Sequence, residues 1–299
     1  MNYMIKGSYV ALVTPFNIDG SVNYDKLREL IEYHISNETD GIVLIGTTGE
    51  AITLSFEEQC EIVRFGLEVV NKRVHVMVGS GSNDTAKACK LSKVFSSMGA
   101  DSLLVITPYY NKTNTPGLIK HFEMIADNSS CPIVLYNVPS RTGMSIPMEA
   151  YEVLSKNPKI IGVKEASGNM EYTKEVAKYL NDDFIMMSGN DDIIVDMINL
   201  GASGVISVLA NIAPKNTHLM CEYALNGNFD EAYKIQNRLL DVANSLFYET
   251  NPIPVKAAMN YLGFNVGGYR MPLYEMSAEP YKKMIEVIST NMEVPKQYI

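Results

Sequence analysis

Lys164 closes the apolar run Ile160-Ile161-Gly162-Val163, a setting suited to covalent amine chemistry. Partial desolvation disfavours a charged ammonium, and a neutral amine can attack a ketone. The imine that forms is an electron sink for carbanion chemistry. A lysine there could equally snorkel to solvent or pair with Glu165. Tyr136 ends the preceding apolar run. Its phenol could relay protons during imine formation, or it could be a core tyrosine with a satisfied hydroxyl. Arg141 follows in the loop Val138-Pro139-Ser140-Arg141-Thr142-Gly143. A guanidinium in such a loop can grip a carboxylate through two hydrogen bonds, although an ordinary surface arginine would look the same. The segment Gly46-Thr47-Thr48-Gly49-Glu50 offers hydroxyls and backbone N–H groups to an anion, with glycines that permit close approach. Ordinary tight turns share that composition. Taken together, an amine, a phenol, an arginine and a hydroxyl-rich loop make a coherent site for a 2-oxo acid.

Such residues need a scaffold that brings four distant segments to one place. Eight strand candidates begin near Ser8, Gly41, Val74, Ser102, Pro132, Lys159, Phe184 and Ala202. Their nearly continuous apolar cores suit parallel strands covered on both faces. Helix signals lie between them. Residues 23–37 place Leu27, Leu30, Ile31, His34 and Ile35 on one face. Ser55 and Glu58 have capping-box spacing. Asn83, Asp84 and Thr85 are cap candidates, and Thr115-Pro116 reads as a cap followed by a first-turn proline. Eight strand–helix units argue for an α/β chain folded as a (β/α)8 TIM barrel, whose active site gathers at the C-terminal ends of the strands. A doubly wound open sheet usually has fewer strands, and no G-x-G-x-x-G follows the first strand. The alternation stops near residue 226, where Asn226-Gly227-Asn228 marks a turn. Residues 1–225 are therefore expected to form the catalytic barrel, and 226–299 a helical C-terminal extension packed on it.

Composition narrows the functional classes. The 299 residues are 46% hydrophobic and 20% charged, which suits a globular chain with a substantial core. A formal net charge of −9 argues against nucleic acid as a partner. No run of 18 apolar residues argues for a membrane span, and the start lacks a signal-peptide core, so the expected location is cytoplasmic. Cys60, Cys89, Cys131 and Cys221 form no C-x-x-C pair and are expected to be buried, reduced thiols. His34, His75, His121 and His218 show no ligand spacing. No metal site, serine nucleophile elbow or Walker A loop is expected.

The segments GTTGE (46–50), YNVPSRTG (136–143) and GVKEASG (162–168) resemble those of the dihydrodipicolinate synthase family. That family belongs to the pyruvate-dependent class I aldolases, with N-acetylneuraminate lyase. The opening ALVTPF, the segment TPYYNK and the helical tail also fit, so the resemblance covers essentially the whole chain. It implies that Lys164 forms a Schiff base with pyruvate and that Tyr136 is the central proton relay. By the same resemblance Thr47 hydrogen-bonds Tyr136, and Tyr110 reaches in from a neighbouring subunit. It implies that Thr48 helps hold the pyruvate carboxylate and that Arg141 binds the carboxylate of L-aspartate 4-semialdehyde. It also implies that Gly189 and Ile206 line the pocket through backbone groups. The implied product is (4S)-4-hydroxy-tetrahydrodipicolinate, on the way to diaminopimelate and lysine. The implied assembly is a homotetramer, a dimer of dimers, with no metal or organic cofactor.

Two further expectations rest on this resemblance. Neuraminate lyases typically have Ser-Thr in the first motif and no arginine after the proline, so Thr47-Thr48 and Arg141 favour the synthase over that relative. The family's lysine-inhibited members hold lysine at a tight dimer interface. The matching positions are Ala51, Phe56, Gln59, Asn83, Lys87 and Tyr109. Phe56 removes a polar group there, and Lys87 places a cation beside the ligand's ammonium, so inhibition by lysine is expected to be weak or absent. A barrel can also survive as a binding or regulatory protein without activity, because fold does not fix function.

Overall fold

The computed structural model describes residues 5–292 and closes eight parallel strands into a barrel, ordered in space as in sequence. The strands are β1 Gly7–Ala11, β2 Gly41–Leu44, β3 His75–Gly79, β4 Ser102–Ile106, β5 Ile133–Asn137, β6 Ile160–Glu165, β7 Ile185–Ser188 and β8 Gly204–Ser207. β1 pairs with both β2 and β8, which closes the ring. The chain is thus a TIM barrel, and each strand starts within two residues of its expected position.

Successive side chains of a strand point to opposite faces, so each strand feeds two cores. Tyr9, Ala11, Val43, Met77, Leu104, Val134, Met187 and Ile206 fill the barrel interior. Val10, Ile42, Leu44, Val76, Val78, Leu103, Val105, Leu135, Val163 and Val205 pack outward against the helices. One irregularity matters for the site. Ile133 pairs with Ile160, but Val134 pairs with Gly162, a register shift that inserts one residue into β6. After it, Tyr136 lies opposite Lys164 and both face the interior.

The helices follow their caps. The helix Tyr24–Ser36 starts where the Asn23 side chain accepts from Lys26 N, and it buries Leu27, Leu30, Ile31 and His34. Ile35 sits only partly buried at the edge of that face. Ser55 and Glu58 form a reciprocal capping box for Phe56–Val70, and Asp84 caps Thr85–Ser97. The expected Thr115 cap is displaced by one residue. Asn114 is the cap of Thr115–Asp127, accepting from Gly117 N, and Thr115 and Pro116 form the first turn. Asparagine is among the strongest caps, and proline needs no partner in a first turn. Cys89 and Cys221 are buried as expected, whereas Cys60 and Cys131 are only half-buried, and all four are free. Burial pushes His34 down to about 3 and His121 to about 4, so both stay neutral near neutral pH.

Beyond the barrel helix Pro214–Leu225 come three more among the described residues, Phe229–Ser245, Ile253–Tyr261 and Ala278–Asn291. Gln236 on the first of them accepts from Val195 N at 2.8 Å and fastens it to the barrel.

His218 ties the helix Pro214–Leu225 to the lower end of the barrel. Its Nδ1 lies 2.9 Å from Asp40 Oδ2, which also accepts from Ser8 N. Glu38, Glu222 and Lys215 face the same ring. The Asp40 hydrogen bond raises the His218 pKa above its ordinary 6.5. The stabilisation is therefore complete below that ordinary value and fades as pH rises through the raised one. The melting temperature of wild type relative to His218→Gln is expected to be highest near pH 5 and to shrink toward pH 8.5. An advantage that does not change over that range would refute the linkage.

Candidate active site

A cavity of about 660 Å³ opens at the C-terminal mouth of the barrel. Lys164 stands at its base with only 6% of its surface exposed, and Tyr136 beside it is 8% exposed. The Lys164 ammonium lies 4.5 Å from the centre of the Tyr136 ring. The alternation of β6 separates Lys164 from Glu165. Lys164 faces inward, and Glu165 accepts from Asn137 Nδ2 and Ser167 N, each at 2.7 Å. Among the described residues Lys164 forms no ion pair with Glu165, so the pairing alternative is not realised. Burial raises the Glu165 carboxyl pKa. Gly189 completes the base by necessity. A Cβ there would lie 2.9 Å from Lys164 Cε and 2.5 Å from Ala166 Cβ, so any side chain would displace the amine. Two residues on, the buried carboxylate of Asp191 accepts from Val208 N and Leu209 N at 2.9 Å and ties the β7 and β8 rims together.

The hydroxyl-rich loop after β2 is held under strain. Ile45 and Glu50 bracket it at positive φ, 46° and 54°. For non-glycine residues such conformations cost of order 1–3 kcal/mol each and persist only where surrounding contacts enforce them. Those contacts are visible. Thr14 Oγ1 donates to Gly49 O at 2.6 Å. Glu50 Oε1 accepts from Lys256 Nζ at 2.8 Å, and neither side chain has any solvent exposure. Lys256 also donates to Thr14 O and Gly268 O and lies over the Phe16 ring. Arg270 N donates to Glu50 Oε2, while the Arg270 guanidinium holds Glu58 and the carbonyls of Gly20 and Thr53. Burial lowers the Lys256 pKa, and Glu50 opposes that shift. Asn251 joins the loop to the arginine. Its Nδ2 donates to Thr48 Oγ1 at 2.9 Å, and its carbonyl accepts from Arg141 Nη2 at 2.9 Å.

Of the residues singled out by sequence, Lys164, Tyr136, Thr47, Thr48, Arg141, Gly189 and Ile206 all line this cavity. Tyr110 does not. It is 93% exposed and sits on the surface at φ 69°. The expected Thr47–Tyr136 hydrogen bond is not formed among the described residues, although both line the cavity. Thr47, Tyr136 and Arg141 also border a second cavity of about 310 Å³, which reaches Ala51, Gln59, Lys87 and Tyr109. Phe56 and Asn83, expected beside those residues, do not line it, and Phe56 instead lies under the Lys90 ammonium. Sequence reasoning missed Asn251, Lys256 and Arg270 and gave Glu50 no role. One signal was present, a lysine inside the apolar helix segment Pro254-Val255-Lys256-Ala257-Ala258-Met259.

Comparison with known proteins agrees with this geometry. Residues 4–291 match the model of the dihydrodipicolinate synthetase family. A 4-hydroxy-tetrahydrodipicolinate synthase of Clostridium perfringens is 51% identical over 273 residues, spanning 91% of this chain and 94% of that protein. The solved dihydrodipicolinate synthase of Aquifex aeolicus superposes with a TM-score of 0.93 at 41% identity, covering 96% of this chain and 98% of that one. A chloride-inhibited dihydrodipicolinate synthase from Acinetobacter baumannii, complexed with pyruvate, gives a TM-score of 0.93 at 39% identity, with 95% and 98% covered.

Removing one member of a buried ion pair leaves the other uncompensated. Lys256→Met is therefore expected to cost about 3–5 kcal/mol in urea unfolding. The double variant Glu50→Gln/Lys256→Met should recover part of that loss. A single-variant loss below about 1 kcal/mol, the scale of an exposed pair, would show that the loop is held some other way.

Proposed function

We propose that this chain, which belongs to the dihydrodipicolinate synthetase family, is a lyase that condenses pyruvate with L-aspartate 4-semialdehyde. The product is (4S)-4-hydroxy-tetrahydrodipicolinate, on the route to diaminopimelate and lysine. The observation that carries the reading is the Lys164 amine, buried against Tyr136 in a cavity that also holds Arg141 and the Thr47-Thr48 loop.

Each residue has a chemical task in this reading. The Lys164 amine adds to the pyruvate carbonyl and water leaves, giving an imine. Loss of a methyl proton gives an enamine, whose carbon attacks the aldehyde. Tyr136 is the proton relay for these steps, with Thr47 turning its hydroxyl onto the phenol. Thr48, fixed by Asn251, holds the pyruvate carboxylate. Arg141 grips the carboxylate of the semialdehyde. Gly189 and Ile206 supply backbone walls. The amino group of the condensed product then attacks the imine carbon, closing the ring and freeing Lys164. The imine is the electron sink, so the scheme uses no metal or organic cofactor.

The assembly belongs to the same proposal. Tyr110 is exposed and does not line its own cavity, which supports a role in a neighbouring copy, and the family resemblance supplies the homotetramer, a dimer of dimers. Residues 1–225 act as the catalytic barrel and 226–299 as the extension that steadies its mouth, with 1–4 and 293–299 lying outside the described residues. No helix among the described residues is long and apolar enough to cross a membrane, and a cytoplasmic location fits two soluble substrates. Lys87 borders the second cavity and opposes a cationic ligand there, so lysine should inhibit weakly or not at all.

The test is pyruvate consumption with L-aspartate 4-semialdehyde and N-acetylmannosamine in parallel. Turnover with the semialdehyde alone is expected, and turnover only with the amino sugar would overturn the assignment of Arg141. Borohydride should trap pyruvate on wild type and not on Lys164→Ala. Arg141→Ala should raise the KM for semialdehyde far more than that for pyruvate. In sedimentation, a mass near four times 33.2 kDa is expected, and Tyr110→Phe should lower kcat. Inhibition by lysine at low-millimolar concentration would refute the reading of Lys87.

A further inference from the structure

Among the described residues four ionisable side chains line the large cavity: Lys164, Tyr136, Arg141 and Glu249. The first three have tasks in the proposed reaction, and Glu249 does not. It lies in the segment between the helices Phe229–Ser245 and Ile253–Tyr261, and it is the one carboxylate among the described residues that line the cavity. Its two oxygens share a single donor, Ser277 N, at 3.2 and 3.3 Å. Lone pairs therefore remain for a second donor. Among the described residues neither Glu249 nor Arg141 belongs to an ion pair, although both border the same space. They are also fixed to one stretch of wall. Arg141 Nη2 donates to Asn251 O, two residues beyond Glu249, and two residues span at most about 7 Å.

An unpaired guanidinium and an unpaired carboxylate on one wall match a ligand that carries both charges on one carbon. We propose that Glu249 is a specificity-determining residue that receives the α-ammonium of the aldehyde substrate while Arg141 holds its α-carboxylate. The cavity thereby selects an amino-acid aldehyde over an otherwise identical aldehyde without the amino group. A rejected analogue pays through charge left unpaired in the site. The contact operates during capture, before the new carbon–carbon bond forms and the amine is released for ring closure. The inference rests on the function proposed above and names the group that reads one end of its substrate.

The test compares L-aspartate 4-semialdehyde with 4-oxobutanoate, the same aldehyde lacking the ammonium, as substrate and competing ligand. In Glu249→Gln the KM for the amino aldehyde is expected to rise about tenfold, the scale of a lost charge-assisted hydrogen bond. The inhibition constant of 4-oxobutanoate and the KM for pyruvate should stay unchanged, and Glu249→Asp should recover part of the loss. A parallel rise for both aldehydes would assign Glu249 a structural role at Ser277 and overturn the inference, as would no change for either. Wild type supplies a check that needs no folded variant, since equal affinity for the two aldehydes would also overturn it. Failure of borohydride to trap pyruvate on wild type would overturn the reaction and the inference together. Trapping with no discrimination between the aldehydes would overturn the inference alone.

Discussion

The ammonium of Lys256 has no solvent, so every partner it needs must come from the protein. It finds them on separate stretches of chain: Glu50 after β2, the Thr14 carbonyl after β1, the Gly268 carbonyl, and the face of Phe16. A charge in that position is tolerable only when all of these are assembled. Closure of the barrel mouth is thereby coupled to docking of the C-terminal helices. Glu50 in turn holds the end of a loop whose backbone would not keep its positive φ values unaided. That loop carries Thr47 and Thr48, and Asn251 from the extension fixes Thr48 and Arg141 together. The hydroxyls and the guanidinium that face the cavity thus depend on a pair of buried charges that never touch it.

Around that anchor the mouth is organised by depth and sign. The amine is buried beside the phenol and against a glycine whose Cβ would crowd it. Arg141 and the carboxylate of Glu249 sit on the wall formed by the extension and the loop after β5. Burial keeps competing groups out of the way. Glu165, next to the amine in sequence, points outward and spends its oxygens on Asn137 and Ser167. Asp191 spends one of its oxygens on the backbone of the β8 rim.

Much of this was legible in the chain. The eight apolar runs mark the strands because a parallel strand buried on both faces must be apolar throughout. The capping box at Ser55 and the cap at Asp84 are local chemistry, satisfied within one helical turn. Thr115 was misread because Asn114, one residue earlier, competes for the same N–H groups, and single-residue choices between good caps are not resolved by residue type alone. Cys60 and Cys131 were expected to be buried because their neighbours are apolar, but exposure is set by what packs on them from elsewhere in the chain.

The sequence by itself determined the barrel and singled out the amine, phenol, arginine and hydroxyl loop that line one cavity. The barrel follows from periodicity, a short-range property, and the four candidates from residue types at strand ends together with the family resemblance. Tertiary structure alone decided how they meet. The inserted residue in β6 places Lys164 opposite Tyr136, and an unshifted register would have paired it with Asn137 instead. Parity along a strand is a property of its pairing, not of its own residues. The partnership of Glu50 with Lys256, 206 residues apart, and that of Thr48 with Asn251, 203 apart, likewise exist only once the chain has closed. Buried polar groups choose partners by proximity in space, and no local pattern encodes that proximity.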